Sequence, residues 1–210
     1  MAYIGNKPAN KAVVASDLDP AVITGQTALA VAPADTDEFL ISDAGVLKRL
    51  DASLIGGGKV LQVVSTTKTD TFTTTSSMVD ITGLSVNITP SATTSKILIL
   101  SAVNGSQEVG VTRGYLILKR DSTDIFIGTD LGSRFGGSGS FSSMAASIAS
   151  PTVSTCFLDS PSTTSQVTYK WQGGNKGNAG SFYINRTDSD SNDSTQIRLA
   201  SSITVMEIGA

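Results

Sequence analysis

The sequence predicts an all-β protein whose larger part is an antiparallel β-sandwich. Serine and threonine are abundant, at 29 and 25 of the 210 residues, and they suit turns and the exposed faces of strands. Short runs of alternating apolar and polar residues follow one another, separated by turn residues. No run has the period of a helix longer than two turns. Among sandwiches, a part of about 150 residues with eight or more short strands fits a jelly roll best.

Three consecutive glycines, Gly56, Gly57 and Gly58, divide the chain. Glycine lacks a Cβ and has wide conformational freedom, so this triplet predicts a hinge and not a strand or helix. The valine-rich run Val60–Val64 follows directly and predicts the first strand of a buried sheet. We therefore expect an N-terminal anchoring arm at residues 1–58 and a jelly-roll-like β-sandwich head at residues 59–210.

The arm contains one predicted β-hairpin. Its strand-like runs, Glu38–Asp43 and Val46–Asp51, flank the pair Ala44-Gly45, which suits a tight turn. An isolated two-stranded hairpin is marginally stable in water, so the arm needs a surface that orders it. Disordered tails without function lack large apolar residues, and this arm has them. The residues that we expect to be buried on attachment are Tyr3, Ile4, Phe39, Leu40, Ile41 and Leu47.

The head contains ten predicted strands. In Val79–Ile88 the apolar residues recur at every second position, and Gly83 shifts the phase as a β-bulge would. The run Ile97–Leu100 is continuously apolar, which favours a strand that is covered on both faces. Residues 144–148 are compatible with a turn of helix or a strand. The ten candidates are Val60–Ser65, Met78–Thr82, Leu84–Thr89, Ile97–Val103, Gly114–Lys119, Asp124–Ile127, Thr152–Leu158, Gln166–Trp171, Ser181–Ile184 and Gln196–Ile208.

Composition excludes several classes of function. The chain has no histidine, which removes Ser-His-Asp and Cys-His catalysis and every histidine-containing zinc site. A single cysteine, Cys156, allows no intrachain disulfide or thiolate zinc site, and we expect it to be a small buried apolar residue. Charged residues are 16% of the chain and the net charge is −3, which disfavours nucleic-acid binding. No apolar run approaches the roughly 20 residues that cross a bilayer.

Two loops and the carboxylates are the candidate functional sites of the sequence. Asp188–Asp193 begins like a calcium loop, but Asp193 and Leu199 occupy the positions where an EF-hand needs glycine and glutamate. A looser calcium site and a solvated hairpin loop both remain open there, and the second is favoured. Gly132–Ser140 lacks the context of a phosphate-binding loop and predicts a long surface loop. No carboxylate pair is placed for glycoside hydrolysis, so we expect no enzyme activity, no cofactor and no catalytic residue.

Six segments, distributed along nearly the whole chain, carry a resemblance to known proteins: Met1–Pro8, Ala32–Asp51, Gly58–Val64, Ser95–Leu100, Gly114–Asp121 and Ser202–Ile208. They resemble structural proteins of tailed phages, especially those of marine and cyanobacterial hosts. The resemblance implies a homotrimer on the virion surface, assembled in the host cytoplasm, with arms fastened to the particle and heads projecting outward. Its partners would be other copies of itself and a major capsid or tail protein.

Two roles fit that resemblance. One is a capsid-decorating protein, a head fibre or cement trimer that stabilises the shell. The other is a tail fibre or receptor-binding protein that recognises a host surface glycan or protein. Tail fibres usually carry a repetitive or coiled-coil stalk, and no heptad or 20–50-residue repeat is present. The sequence therefore favours capsid decoration.

Overall fold

The computed structural model describes residues 27, 33–34, 36–44, 46–55, 60–110, 113–142, 148–175 and 179–209. These residues form two compact units, and the chain divides between Gly57 and Gly58. Apart from one turn of 3₁₀ helix at Ala52–Leu54, every regular element among the described residues is a β-strand. The prediction of an all-β protein is confirmed.

The N-terminal unit contains the predicted antiparallel hairpin. Strand β1 (Glu38–Asp43) pairs with β2 (Val46–Asp51) along its whole length. Ala44, in the connecting turn, has a positive φ of 50°, the left-handed conformation that two-residue hairpin turns require. The ladder continues past the strand ends, because the Ala52 amide donates to the Asp37 carbonyl at 2.7 Å. The hairpin prediction is confirmed with the expected strand bounds.

The second unit consists of two antiparallel sheets. In the first, the order is β3-β13-β6-β12-β4, and β10 pairs with the edge of β6 opposite β13. In the second, the order is β5-β11-β7-β8, and β9 also pairs with β7. The strands are β3 (Val60–Lys68), β4 (Phe72–Thr74), β5 (Val79–Ile88), β6 (Lys96–Gln107), β7 (Arg113–Arg120), β8 (Thr123–Ile125), β9 (Gly139–Ser142), β10 (Thr152–Asp159), β11 (Val167–Gly174), β12 (Phe182–Ile184) and β13 (Ser201–Ile208).

The strand order is that of a jelly roll. Strands β8 and β9 pair with successive halves of β7 and so share one position. With the short β4 and β12 set aside, eight positions remain, numbered in chain order. The first sheet then reads 1-8-3-6 (β3, β13, β6, β10) and the second reads 2-7-4-5 (β5, β11, β7, β8/β9). Two sheets of four built from interleaved Greek keys define the jelly roll, so the predicted class of sandwich is confirmed.

The core lies between the two sheets and is filled by one face of each strand. Trp171 and Tyr169, on β11, are completely buried. Phe141 and Phe182 stack with ring centroids 5.7 Å apart. A Cβ on Gly114 would lie 2.6 Å from a carbon of the Phe182 ring, so this position has no room for a side chain. Alternating burial along β5, β11 and β13 follows from the two-residue period of a strand.

The structure differs from the predicted strands in several bounds. Met78–Thr82 and Leu84–Thr89 form one strand, β5, and the expected irregularity lies at Gly83, which has a φ of 85°. There the register to β11 shifts between Lys170 and Gln172. The strand expected from Gln196 begins at Ser201, because residues 190–198 instead form a loop held by its own side chains.

Two short strands of the structure, β4 and β9, are not among the ten predicted strands. The loop expected at Gly132–Ser140 ends inside β9, which places Phe141 in the core and pairs with the first half of β7. Strand β4 was assigned to no element, although it pairs with β12. Of the ambiguous segment 144–148, all but the last residue lies outside the described residues.

Candidate interaction surfaces

Part of the predicted anchoring set is visible in the structure. Tyr3, Ile4 and the hinge Gly56–Gly58 lie outside the described residues. The remaining predicted anchors, Phe39, Leu40, Ile41 and Leu47, all lie in the hairpin.

The hairpin exposes apolar side chains on both of its faces. Phe39 pairs with Leu50, and Ile41 lies two residues further along on the same face. Leu40 lies on the opposite face, and 76% of it is exposed, against 40% of Phe39. The sequence alone does not separate these two faces, because the division depends on the strand register. The hairpin therefore has no side that is fully polar.

Each hairpin face also carries an ion pair. Arg49 Nε lies 2.8 Å from Glu38 Oε1 on the face of Leu40, and Lys48 pairs with Asp43 on the face of Phe39. These pairs are solvent-exposed and contribute about 0–1 kcal/mol each. Among the described residues of the hairpin, the stabilising contacts are thus the backbone ladder and weak surface pairs, and the apolar side chains are exposed or half-buried.

A row of apolar side chains crosses the outer surface of the first sheet of the head. Backbone pairing aligns one residue from each of β3, β13, β6 and β10. Val63 and Leu158, on the two edge strands, are 56% and 53% exposed. The two central residues are half-buried by their neighbours. This row consists of Val63, Met206, Leu98 and Leu158.

The next two rows become progressively more polar. Pairing aligns Ser65, Thr204, Leu100 and Cys156 in the second row, and Thr67, Ser202, Ala102 and Ser154 in the third. None of these three rows contains a charged side chain. We call Val63, Leu98, Leu100, Cys156, Leu158 and Met206 the apolar face. Lys96 lies beyond its end, where its ammonium donates to Ser160 Oγ at 2.9 Å.

Cys156 corrects one expectation. The sequence predicts a buried thiol, whereas Cys156 is exposed on the apolar face. The physical reason is strand alternation, since Thr155 and Phe157 point inward and the residue between them must point outward. The alternation along Thr152–Asp159 was the signal that could have predicted this.

The outer surface of the second sheet is charged. Lys170 Nζ and Gln172 Nε2 both donate to Asp80 at 2.7 Å, and Lys119 pairs with Asp124. The hydrogen bond from Lys170 holds the pKa of Asp80 below its ordinary value. Such pairs remain solvated at a surface. The two outer faces of one sandwich therefore differ sharply, and the charged face serves as an internal comparison for the apolar one.

The acidic loop considered as a calcium site directs its carboxylates to separate partners. Asp190 accepts hydrogen bonds from Arg198, at 2.8 and 3.1 Å, and the bond from Arg198 is the main cause of its lowered pKa. Asp193 accepts from Thr195, and Asp188 accepts from the Val109 amide at 2.9 Å. Among the described residues, no three potential metal ligands cluster anywhere. The loop is a hydrogen-bonded surface feature that lines an open depression of about 440 Å³.

Comparisons with known proteins give structural neighbours alone. No family model and no curated protein sequence matches the chain. Structures of infectious bursal disease virus of the Gx and Gt strains share 16% and 15% identity, each with a TM-score of 0.35, over 80% of this chain and 41% of theirs. The crystal structure of the VP2 subviral particle of that virus shares 14% identity, with a TM-score of 0.34, over 83% of this chain and 43% of its own. The chain thus spans less than half the length of these structures.

In the part of the chain that the structure describes, no helix is long and apolar enough to span a membrane.

Proposed function

We propose that this chain is a structural protein of a phage virion surface, a homotrimer that decorates the capsid. The N-terminal arm fastens it to the particle and the jelly-roll head projects outward. It acts by association, without catalysis and without a cofactor. The observation that carries the proposal is the hairpin β1-β2, which exposes apolar side chains on both faces.

The hairpin needs a partner surface because it cannot bury these side chains by itself. Complete burial of a leucine or phenylalanine stabilises by about 1.5–3 kcal/mol, and Leu40 is three-quarters exposed. A two-stranded hairpin is marginal in water. The shell formed by the major capsid protein is the surface that we propose. Three arms per trimer would multiply a weak contact by avidity.

The hinge Gly56–Gly58 completes this proposal. Glycine has wide conformational freedom, so such a hinge would let a threefold head sit above a site of different local symmetry, without head orientation having to follow the geometry of the anchor. The jelly-roll topology of the head supports a structural role, since the fold buries a continuous core and presents two broad outer sheets.

A tail-attached, receptor-binding role is the second candidate. The observation that favours it is an open depression of about 240 Å³ beside β7 and β9. Tyr115 and Phe135 line it with their rings edge to face, 6.2 Å between centroids, and Arg113 also lines it. Aromatic rings beside polar groups suit a sugar, so a host surface glycan is the ligand that this second role implies. Copy number separates the two roles, because decoration needs many trimers per particle and a tail fibre needs few.

The experiment that tests attachment uses particles that lack this protein. Residues 1–58, fused to an unrelated trimeric protein, are mixed with the particles and co-sedimented, with the unfused trimer as the control. The proposal expects the fusion to bind and to compete with the full chain. Absence of binding, while the full chain binds, would assign attachment to the head and overturn the proposal.

A further inference from the structure

We infer that the apolar face of the head is the surface through which the heads of neighbouring copies of this chain meet. This inference rests on the proposed assembly function, and it adds the surface, the residues and the partner. Sequence pattern, geometry and charge each support it.

The sequence pattern already indicates a covered surface. The continuous run Ile97–Leu100 predicts a strand that is buried on both faces. In the structure, Ile97 and Ile99 face the core and are completely buried. Leu98 and Leu100 point outward and are half-buried, shielded by their neighbours on the sheet. The surface that buries the outer face of this strand, which the pattern predicts, must therefore come from outside the sandwich.

The dimensions suit packing against another sheet. Neighbouring strands lie about 4.8 Å apart and outward residues recur about every 6.8 Å, so four strands and three rows cover roughly 400 Å². Three such faces turned towards a threefold axis would together bury roughly 1,200 Å² before the rim is counted, and the apolar face supplies two of the three rows. In a homotrimer the three faces would turn towards the threefold axis, so that the β3 edge with Val63 of one head lies beside the β10 edge with Leu158 of the next.

Charge favours a second head over the arm as the partner. A face without charged side chains can meet a copy of itself without repulsion or desolvation of ions. The hairpin carries the ion pairs Glu38–Arg49 and Lys48–Asp43, one on each face. Covering the apolar face with either side of the hairpin would desolvate one of these pairs. A second apolar face imposes no such cost.

Cys156 provides a direct probe, because it is the only cysteine of the chain and lies within the apolar face. The full chain is labelled with a maleimide while its mass is measured by light scattering. Two variants place a charge on exposed edge positions of the face, Leu158→Lys and Val63→Lys. The matched control, Thr82→Lys, adds the same charge to an exposed position of edge strand β5 on the opposite sheet. Circular dichroism verifies that each variant is folded.

The wild-type chain is expected to have the mass of an oligomer. Its Cys156 should be labelled at least about tenfold more slowly than a cysteine at Thr82→Cys in a Cys156→Ser background, because the thiol reacts only when the contact opens. Leu158→Lys and Val63→Lys should lower the mass to that of one chain and release Cys156 to the control rate. Thr82→Lys should change neither measurement.

Three results would overturn the inference. A wild-type chain whose Cys156 reacts at the control rate has an uncovered face. If Leu158→Lys and Val63→Lys keep the oligomer mass and the slow labelling of Cys156, the contact between heads lies elsewhere. If Cys156 of a charged variant is still labelled slowly after the mass has fallen to that of one chain, the chain's own arm covers the apolar face. Binding to particles is measured on the same wild-type sample, so an oligomer with a protected Cys156 that fails to bind would refute the proposed function and leave the head contact standing.

Discussion

Removal of the Asp159 carboxylate should destabilise the head strongly. Asp159 is 7% exposed, at the end of β10. Both of its oxygens accept hydrogen bonds from Arg120 Nη1, at 2.9 and 2.8 Å, and one accepts from the Tyr169 hydroxyl at 2.7 Å. Arg120 and Tyr169 belong to the second sheet and Asp159 to the first. The cluster therefore joins the two sheets beside Leu158 of the apolar face.

The magnitude follows from what Asp159→Ala leaves behind. Breaking a buried ion pair costs about 3–5 kcal/mol, and the lower end applies because the Arg120 side chain is 24% exposed and reaches water. The Tyr169 hydroxyl, which is completely buried, loses its acceptor at a cost of about 1–3 kcal/mol. These terms share one site and are not additive, so we expect a total loss of about 4 kcal/mol.

Urea denaturation of the full chain measures this loss. The fluorescence of the buried Trp171 is the signal, and the protein concentration is the same for all variants. Tyr169→Phe should cost only about 1 kcal/mol, because it removes one hydrogen bond and leaves the ion pair. The matched control is Asp124→Ala, which breaks the more exposed pair with Lys119 and should cost about 0–1 kcal/mol. If Asp159→Ala costs no more than this control, the cluster does not join the sheets as argued.

Three further predictions concern other parts of the molecule. Burial raises the pKa of Glu207, but the hydrogen bonds to its carboxylate outweigh burial and lower the pKa from 4.5 to about 2. The carboxylate therefore stabilises the fold fully above about pH 4.5, and this contribution is lost as the pH falls towards 2. Glu207→Gln should remove this pH dependence of the unfolding free energy measured in urea, at a cost of about 1–3 kcal/mol at pH 7. Gly105→Ala would place a Cβ 2.3 Å from a backbone carbonyl oxygen and should lower the free energy of unfolding by roughly 3 kcal/mol in the same assay. In the control variant Gly128→Ala the new Cβ has nothing within 4 Å, so the free energy of unfolding should change by no more than about 0.5 kcal/mol. Leu40→Ser should weaken particle binding in co-sedimentation by about 5- to 30-fold per arm, from roughly 1–2 kcal/mol of lost burial, while Ser42→Ala on the same hairpin face should leave binding unchanged.

The sequence predicted the elements whose pattern is local. The hairpin was recognisable from two strand-like runs around Ala44, and β5 from its alternation and its interruption at Gly83. Strands β4 and β9 were not recognisable, because each has a single apolar residue among threonines, serines or glycine and so shows no alternation. Their existence depends on pairing with distant strands, β12 and β7.

The candidate interaction surfaces were predictable only in part. The apolar residues of the hairpin could be named, but their division between two faces depends on the register, which places Phe39 opposite Leu50. The apolar face was hidden for the same reason. Val63, Leu98, Leu158 and Met206 are far apart in sequence and align only through the strand order of the jelly roll.

The measurement that tests the account most directly is the position of the chain on the assembled particle, determined by electron cryomicroscopy. The account predicts three copies around a threefold axis, with residues 38–51 seated on the shell. The heads should stand away from the shell and meet through Val63, Leu98, Leu158 and Met206, while the charged face with Asp80 and Lys170 is open to solvent. Heads seated on the shell with free hairpins, or heads that meet through the charged face, would contradict the account.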